Sequence, residues 1–131
     1  MVPLDGSRRA EAALPITAKL AAELEAEVVI VYVSEVPETK EMETDATKAG
    51  QDVFERAGKK LPGAVRLRVE TLGDPVKGIL HAVSEEQPDM VVMATRGHFG
   101  IDEVTQGSIT SEVIRAGVAP VTAVYAPEDT T

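Results

Sequence analysis

Two short stretches of this chain carry residue types that could hold an anion beside a hydroxyl-bearing group. The first is Asp5-Gly6-Ser7. The second is Ala94-Thr95-Arg96-Gly97-His98-Phe99-Gly100, followed further on by Gly107-Ser108. Glycines let backbone N–H groups approach a bulky anion such as phosphate. Ser108 stands where a helix is expected to open. The first N–H groups of a helix lack internal partners and favour an anion. Arg96 adds a positive charge, and Met93 precedes it on the same stretch. Asp5 is a poor neighbour for phosphate; its natural partner is a hydroxyl or amino donor, as on a ribose or a base. The same residues also make an ordinary turn with an N-cap (Asp5 to Ser7) and an ordinary loop entering a helix (Gly97 to Ser108). Spacing alone leaves both readings open. His98 is equally open, as a phosphate contact or as a loop residue facing solvent.

Other chemistries lack their motifs. No G-x-G-x-x-G follows the first strand, so a dinucleotide fingerprint fails. Gly73 and Gly78 have P-loop spacing, but Ile79-Leu80 stand where Lys and Ser or Thr are required. No G-x-S-x-G elbow is present. His81 falls on the polar side of its helix and is expected in solvent. Two histidines without ligand spacing, and no cysteine, give no case for a protein-held metal. An enzyme that splits or transfers a nucleotide needs a positioned base and a metal clamp. Asp5 and His98 are the nearest candidates, and neither has an evident partner in the sequence. The expectation is a binding protein and not an enzyme, with slow hydrolysis of a bound nucleotide still compatible.

The elements that must position these residues alternate along the chain. Strand-type runs are Val2 to Leu4, Val28 to Val33, Val65 to Thr71, Met90 to Ala94 and Val121 to Tyr125. The second and fourth are continuously apolar, as in strands buried on both faces. The third alternates Val65, Leu67 and Val69 with Arg66, Arg68 and Glu70, which predicts a wet face and a place at or near an edge. Helical patterns fill the gaps. One runs from a cap at Ser7 to about Leu24, with Pro15 expected to kink it. One spans about Lys40 to Lys60, weakened at Gly50. The clearest is Pro75 to Glu86, where Val76, Ile79, Leu80 and Val83 follow the i, i+3, i+4, i+7 rule. The last runs from about Ser108 to Arg115 and ends before Gly117.

Strands alternating with helices predict an α/β fold: a doubly wound, five-stranded parallel sheet of order 3-2-1-4-5 with helices on both faces. In such sheets a ligand binds beyond the carboxyl ends of the strands where the order reverses. That point lies between the first and fourth strands, which are followed by the two polar, glycine-bearing stretches described first.

Bulk properties narrow the partners. The chain has 131 residues, the size of one domain, and is read as a single domain over 1–131. Its hydrophobic content is 44% but its aromatic content only 3%, so the core must be aliphatic. A net charge of −9 argues against nucleic acid and anionic membranes as partners. No apolar run approaches the roughly 20 residues of a membrane span, and no secretory signal pattern opens the chain. The absence of cysteine is compatible with a reducing cytoplasm, which is the expected location. Met1 falls inside the first strand, which is therefore expected to be short, and a start upstream of Met1 stays open.

Taken together, VPLDGS, VVIVYV, DMVVMATRG and GS-x-x-S-E-x-V-I resemble the universal stress protein family over nearly the whole chain. The family's ATP signature is Gly, two residues, Gly, nine residues, then Gly followed by Ser or Thr. Gly97 and Gly107-Ser108 match its second part, whereas Ala94 stands at the first glycine. The resemblance implies that Pro3, Leu4 and Asp5 touch adenine and ribose, with Asp5 on the ribose, and that Val33 lines the adenine. It implies that Met93 and Ala94 supply backbone beside ribose and phosphates, and that Gly97, Gly107 and Ser108, with Ile109 following, cradle the phosphates. ATP, or ADP or AMP in its place, would be the ligand, with Mg²⁺ carried by the nucleotide. A homodimer through Val121 to Tyr125 is also implied, since pairing removes an open sheet edge. The function implied is that of an ATP-binding stress-response regulator or sensor. The alternative is a dimeric interaction module of the same fold that has lost nucleotide binding. Ala94 bears on the choice: it is tolerable at φ below zero, whereas φ above zero would strain it by about 1 kcal/mol or more.

Overall fold

Apolar strands buried on two faces need a helix layer on each, and that is what forms. The structure, a computed structural model, describes residues 1–96 and 109–126. Its elements are β1 (Val2–Pro3), α1 (Arg8–Glu11), α2 (Leu14–Leu24), β2 (Val28–Val33), α3 (Lys40–Gly58), β3 (Val65–Glu70), α4 (Pro75–Glu86), β4 (Val91–Arg96), α5 (Ile109–Ala116) and β5 (Val121–Ala126). Every strand pairing is parallel. The strands lie in the expected order 3-2-1-4-5, but the hydrogen bonds divide into two ladders, β1-β2-β3 and β4-β5. The ladders meet at Met1. Its N–H group donates to the Met90 carbonyl at 2.9 Å, and its carbonyl accepts the Val92 N–H at 2.9 Å.

The division has a chemical cause. Bonding Met1 between Met90 and Val92 sets a parallel register whose next rung requires an N–H at residue 3 for the Val92 carbonyl. Residue 3 is proline and has no N–H. Pro3 does no harm on its other side, where Leu4 donates to the Val31 carbonyl at 2.8 Å and continues the ladder with β2. β1 and β4 are thus joined at one point, and their carboxyl ends are released from each other.

Side-chain alternation builds two cores. On one face Val2, Leu4, Val28, Ile30 and Val92 pack with Ala13, Leu14 and Ala21 from the α1–α2 region and with Val53 and Ala57 of α3. On the other, Val29, Val31, Val91 and Met93 pack with Ile79, Ala82 and Val83 of α4 and Val113 of α5. Glycine brings α4 unusually close: a methyl at Gly78 would lie 2.7 Å from both γ-carbons of Val33. Gly50, expected to weaken α3, instead lets that helix approach the sheet, since a methyl there would stand 3.1 Å from Val69.

The first helix differs from its expected form. It is not one kinked helix but two, broken at Ala12 and Ala13, with Pro15 in the first turn of α2. There the missing N–H interrupts no intrahelical bond. Side-chain caps start α3 and α4: Thr39 accepts from Met42 N–H, and Asp74 accepts from the N–H groups of Val76 and Lys77. β4 begins and ends later than expected, at Val91–Arg96 rather than Met90 to Ala94. Among the described residues, no helix is long and apolar enough to cross a membrane.

Candidate functional site

The released ends of β1 and β4 form the two sides of a crevice at the point where the strand order reverses. On the β1 side, Pro3 is half-buried, Leu4 is buried and Asp5 is exposed. The turn that follows is locally determined. Asp5 Oδ1 accepts the Ser7 N–H at 2.8 Å, and Ser7 Oγ accepts the Ala10 N–H at 3.1 Å, capping α1. Gly6 sits at φ +90°, a conformation that glycine adopts without cost. The turn and N-cap foreseen as one alternative for Asp5-Gly6-Ser7 therefore form. They engage one oxygen of Asp5; among the described residues Oδ2 takes no hydrogen bond. Asp5 keeps an acceptor for a hydroxyl beyond the strand end.

A side chain distant in sequence steadies this turn. Arg56 of α3 donates from Nη2 to the Gly6 carbonyl at 3.3 Å and to Glu11 Oε2 at 3.4 Å. Lys60 holds the other Glu11 oxygen at 3.3 Å. The sequence offered no signal for this contact, because Arg56 lies 50 residues from Gly6.

On the β4 side, Met93 is buried with the α4–α5 core, and the Ala94 methyl packs toward the opposite core. Ala94 pairs with Val124 inside a regular strand, and it is absent from the residues at positive φ. The strain that a left-handed conformation would impose there does not arise. Thr110, in the first turn of α5 and only 5% exposed, donates its hydroxyl to the Ala94 carbonyl at 2.9 Å. The beginning of α5 is thereby fastened to β4, close to the strand's end. Nothing in the sequence marks Thr110, which occupies an unassigned place in GS-x-x-S.

The expected site residues are brought together unevenly. Pro3, Leu4 and Asp5 lie on one side of the crevice and Met93, Ala94 and the last residue of β4, Arg96, on the other. Ile109 opens α5 and is exposed. Val33 closes β2 next to β1, with its side chain against Gly78. Gly97, His98, Gly107 and Ser108 lie outside the described residues. Among the described residues, no cluster of His, Asp and Glu could hold a metal ion.

Away from the crevice, His81 is exposed as expected, and it also meets two acids: its Nδ1 lies 2.9 Å from Glu70 Oε2 and its Nε2 lies 3.5 Å from Glu85 Oε1. The Glu70 side chain is 6% exposed and is also held by Arg68 Nε at 2.5 Å. Arg66 binds Glu27 at 2.9 Å and Glu86 at 2.8 Å. The charged face of β3, expected to be wet, is thus an ion-pair network partly covered by α4. Helical periodicity placed His81 off the core but could not reveal an acid from a neighbouring strand.

The geometry agrees with comparisons to known proteins. The sequence model of the universal stress protein family matches residues 1–125. A universal stress protein of Methanocaldococcus jannaschii is 26% identical, covering 98% of this chain and 82% of that protein. The universal stress protein YxiE of Bacillus subtilis is 28% identical, covering 92% of this chain and 94% of its own length. Among solved structures, a universal stress protein crystallised in complex with cAMP superposes with a TM-score of 0.79 at 20% identity, covering 95% of this chain and 94% of that one. A universal stress family protein from Burkholderia pseudomallei superposes with a TM-score of 0.60 at 26% identity, covering 94% and 92%.

Proposed function

This chain belongs to the universal stress protein family, and from that premise we propose that it binds an adenine nucleotide, ATP first among them, in the crevice between β1 and β4. The observation that carries the proposal is the arrangement of the two released strand ends. One bears an acid with an available oxygen, and the other leads into the glycine-bearing segment and back to a helix start fastened by Thr110. A ribose hydroxyl suits Asp5, and phosphates suit the helix start and its glycines. The likeness to a family structure solved with cAMP supports the same choice of ligand. Mg²⁺ would arrive with the nucleotide.

In this reading the role is regulatory or sensory, with occupancy as the signal and slow hydrolysis of the bound nucleotide still compatible. A cytoplasmic homodimer paired along β5 completes this reading.

The competing role, an interaction module that has lost its nucleotide, drew its ground from Ala94. A strand residue with its methyl turned into the core does not use the freedom of glycine, so that ground is weakened. Isothermal titration with MgATP tests the choice. Saturable heat is expected with the folded protein. No heat at millimolar nucleotide, with the dimer intact by sedimentation, would establish the competing role instead.

A further inference from the structure

The Ala94 carbonyl occupies an unusual position in the sheet. Val91 donates to the Pro120 carbonyl at 2.8 Å, so in the β4–β5 register Val91, Met93 and Thr95 direct their backbone groups to β5. Val92 and Ala94 direct theirs to β1, as the bond from Val92 to Met1 shows. Beyond Met1 that side is open because Pro3 breaks the rung. Ala94 therefore presents its carbonyl to the crevice between the separated strands, and no backbone N–H of β1 bonds to it. The donor it has is the buried hydroxyl of Thr110.

This bond does more than satisfy a carbonyl. Thr110 and Ala94 are 16 residues apart and flank the entire glycine-bearing segment. A tie between them fixes where α5 begins relative to the crevice floor, and hence where its first N–H groups lie. We propose that Thr110 is a positioning residue for the phosphates: it touches the strand, not the ligand, and sets the distance between the helix start and the nucleotide's ribose side. The proposal rests on the nucleotide reading above and adds the residue that fixes phosphate affinity.

Three variants and two ligands test it. Thr110→Val is nearly isosteric and removes the hydroxyl. Thr110→Ala removes it with less bulk, and Thr110→Ser keeps it. Each is titrated with MgATP and with adenosine, with folding verified by circular dichroism. Both deletions are expected to weaken MgATP about 10-fold, a loss of roughly one buried hydrogen bond. Adenosine affinity should stay within about twofold in the same variants, because it does not reach the helix start, and Thr110→Ser should bind both as the parent does. Unchanged MgATP affinity in Thr110→Ala, equal loss of adenosine, or failure of Thr110→Ser to bind would each overturn the positioning role. If the parent protein itself binds neither ligand, the nucleotide reading falls and this inference with it, an outcome distinct from the others.

Discussion

The two edges of the sheet are built in opposite ways. β3 carries Arg66, Arg68 and Glu70 on one face, and each is engaged in ion pairs with Glu27, His81 or Glu86, or with one another. β5 reads VTAVYA and has no charged residue; its Tyr125 is 47% exposed, as are Ile114 at 49% and Val118 at 56% on the elements leading into it. Charged side chains on an edge strand discourage another strand from adding to it. The contrast teaches where self-association is blocked and where it is invited. It also separates two tasks: the β3 edge holds α4 in place, and the β5 edge is where the proposed second copy of the chain would pair.

The largest effect should follow from breaking the β5 edge. The bond from Val91 to Pro120 turns the backbone groups of Thr122 and Val124 toward β4 and those of Ala123 outward. Ala123→Pro removes one outward N–H while leaving the inner ladder its donors, which is where proline is tolerated in a sheet. Sedimentation velocity should show a dimer for the parent and a folded monomer for Ala123→Pro. A dimer of unchanged strength would place the interface elsewhere and dissolve the contrast between edges.

A smaller effect is expected from the α4 side. Gly78→Ala places a methyl 2.7 Å from both γ-carbons of Val33, whose branching leaves it little freedom to turn aside. α4 must lift from the sheet, and with it His81, Glu85 and Glu86 that meet the charges of β3. Overpacking costs about 1–3 kcal/mol, and the better helix propensity of Ala returns up to about 1. A net loss of about 1–2 kcal/mol in urea unfolding is expected. Val33→Ala in the same chain should recover most of it, because it vacates the space. The sedimentation of Gly78→Ala should remain that of the parent. Loss of the dimer here would mean that the edges are coupled.

The fold was legible because its signals are local. Continuous apolar runs marked β2 and β4, alternation marked β3, and Pro75 marked the start of α4. Alternation and handedness narrow the strand order to a few, with 3-2-1-4-5 among the simplest. What escaped is what depends on residues far apart. Pro15 was read as a kink because the break before it, at Ala12 and Ala13, has no marker in the sequence. Glu70 and His81 lie on different elements, and only the register of β3 beneath α4 brings them within 2.9 Å. At the site, Asp5 and Ala94 could be found from composition at the predicted switch point, and Met93 from the family resemblance. Arg56 and Thr110 could not, since each acts on a backbone carbonyl, a partner that sequence does not distinguish. Pro3 was legible as a residue but not as the reason that β1 and β4 part; that needed the register at Met1.

The smallest effect concerns acid. Hydrogen bonding from Arg66, with Arg66 and Arg68 charges adding to it, lowers the Glu86 carboxyl below its ordinary value of 4.5. A carboxyl lowered in the folded chain stabilises it fully above the ordinary value, where both states are ionised. As pH falls through that value the unfolded chain protonates first, and the stabilisation drains away until the folded carboxyl protonates too. A pair with one half-exposed partner, as Arg66 is, contributes about 0.2–1 kcal/mol, or about 1–4 °C in a chain of this size. Thermal unfolding of Glu86→Gln should therefore sit below the parent by that amount at pH 7 and converge with it toward pH 3. Ala123→Pro should keep the parent's slope with pH, because β5 carries no carboxylate to titrate. If Glu86→Gln left the slope untouched, the β3 edge would be charged but not held by its charges, and the difference between the edges would lie in the apolar surface of β5 alone.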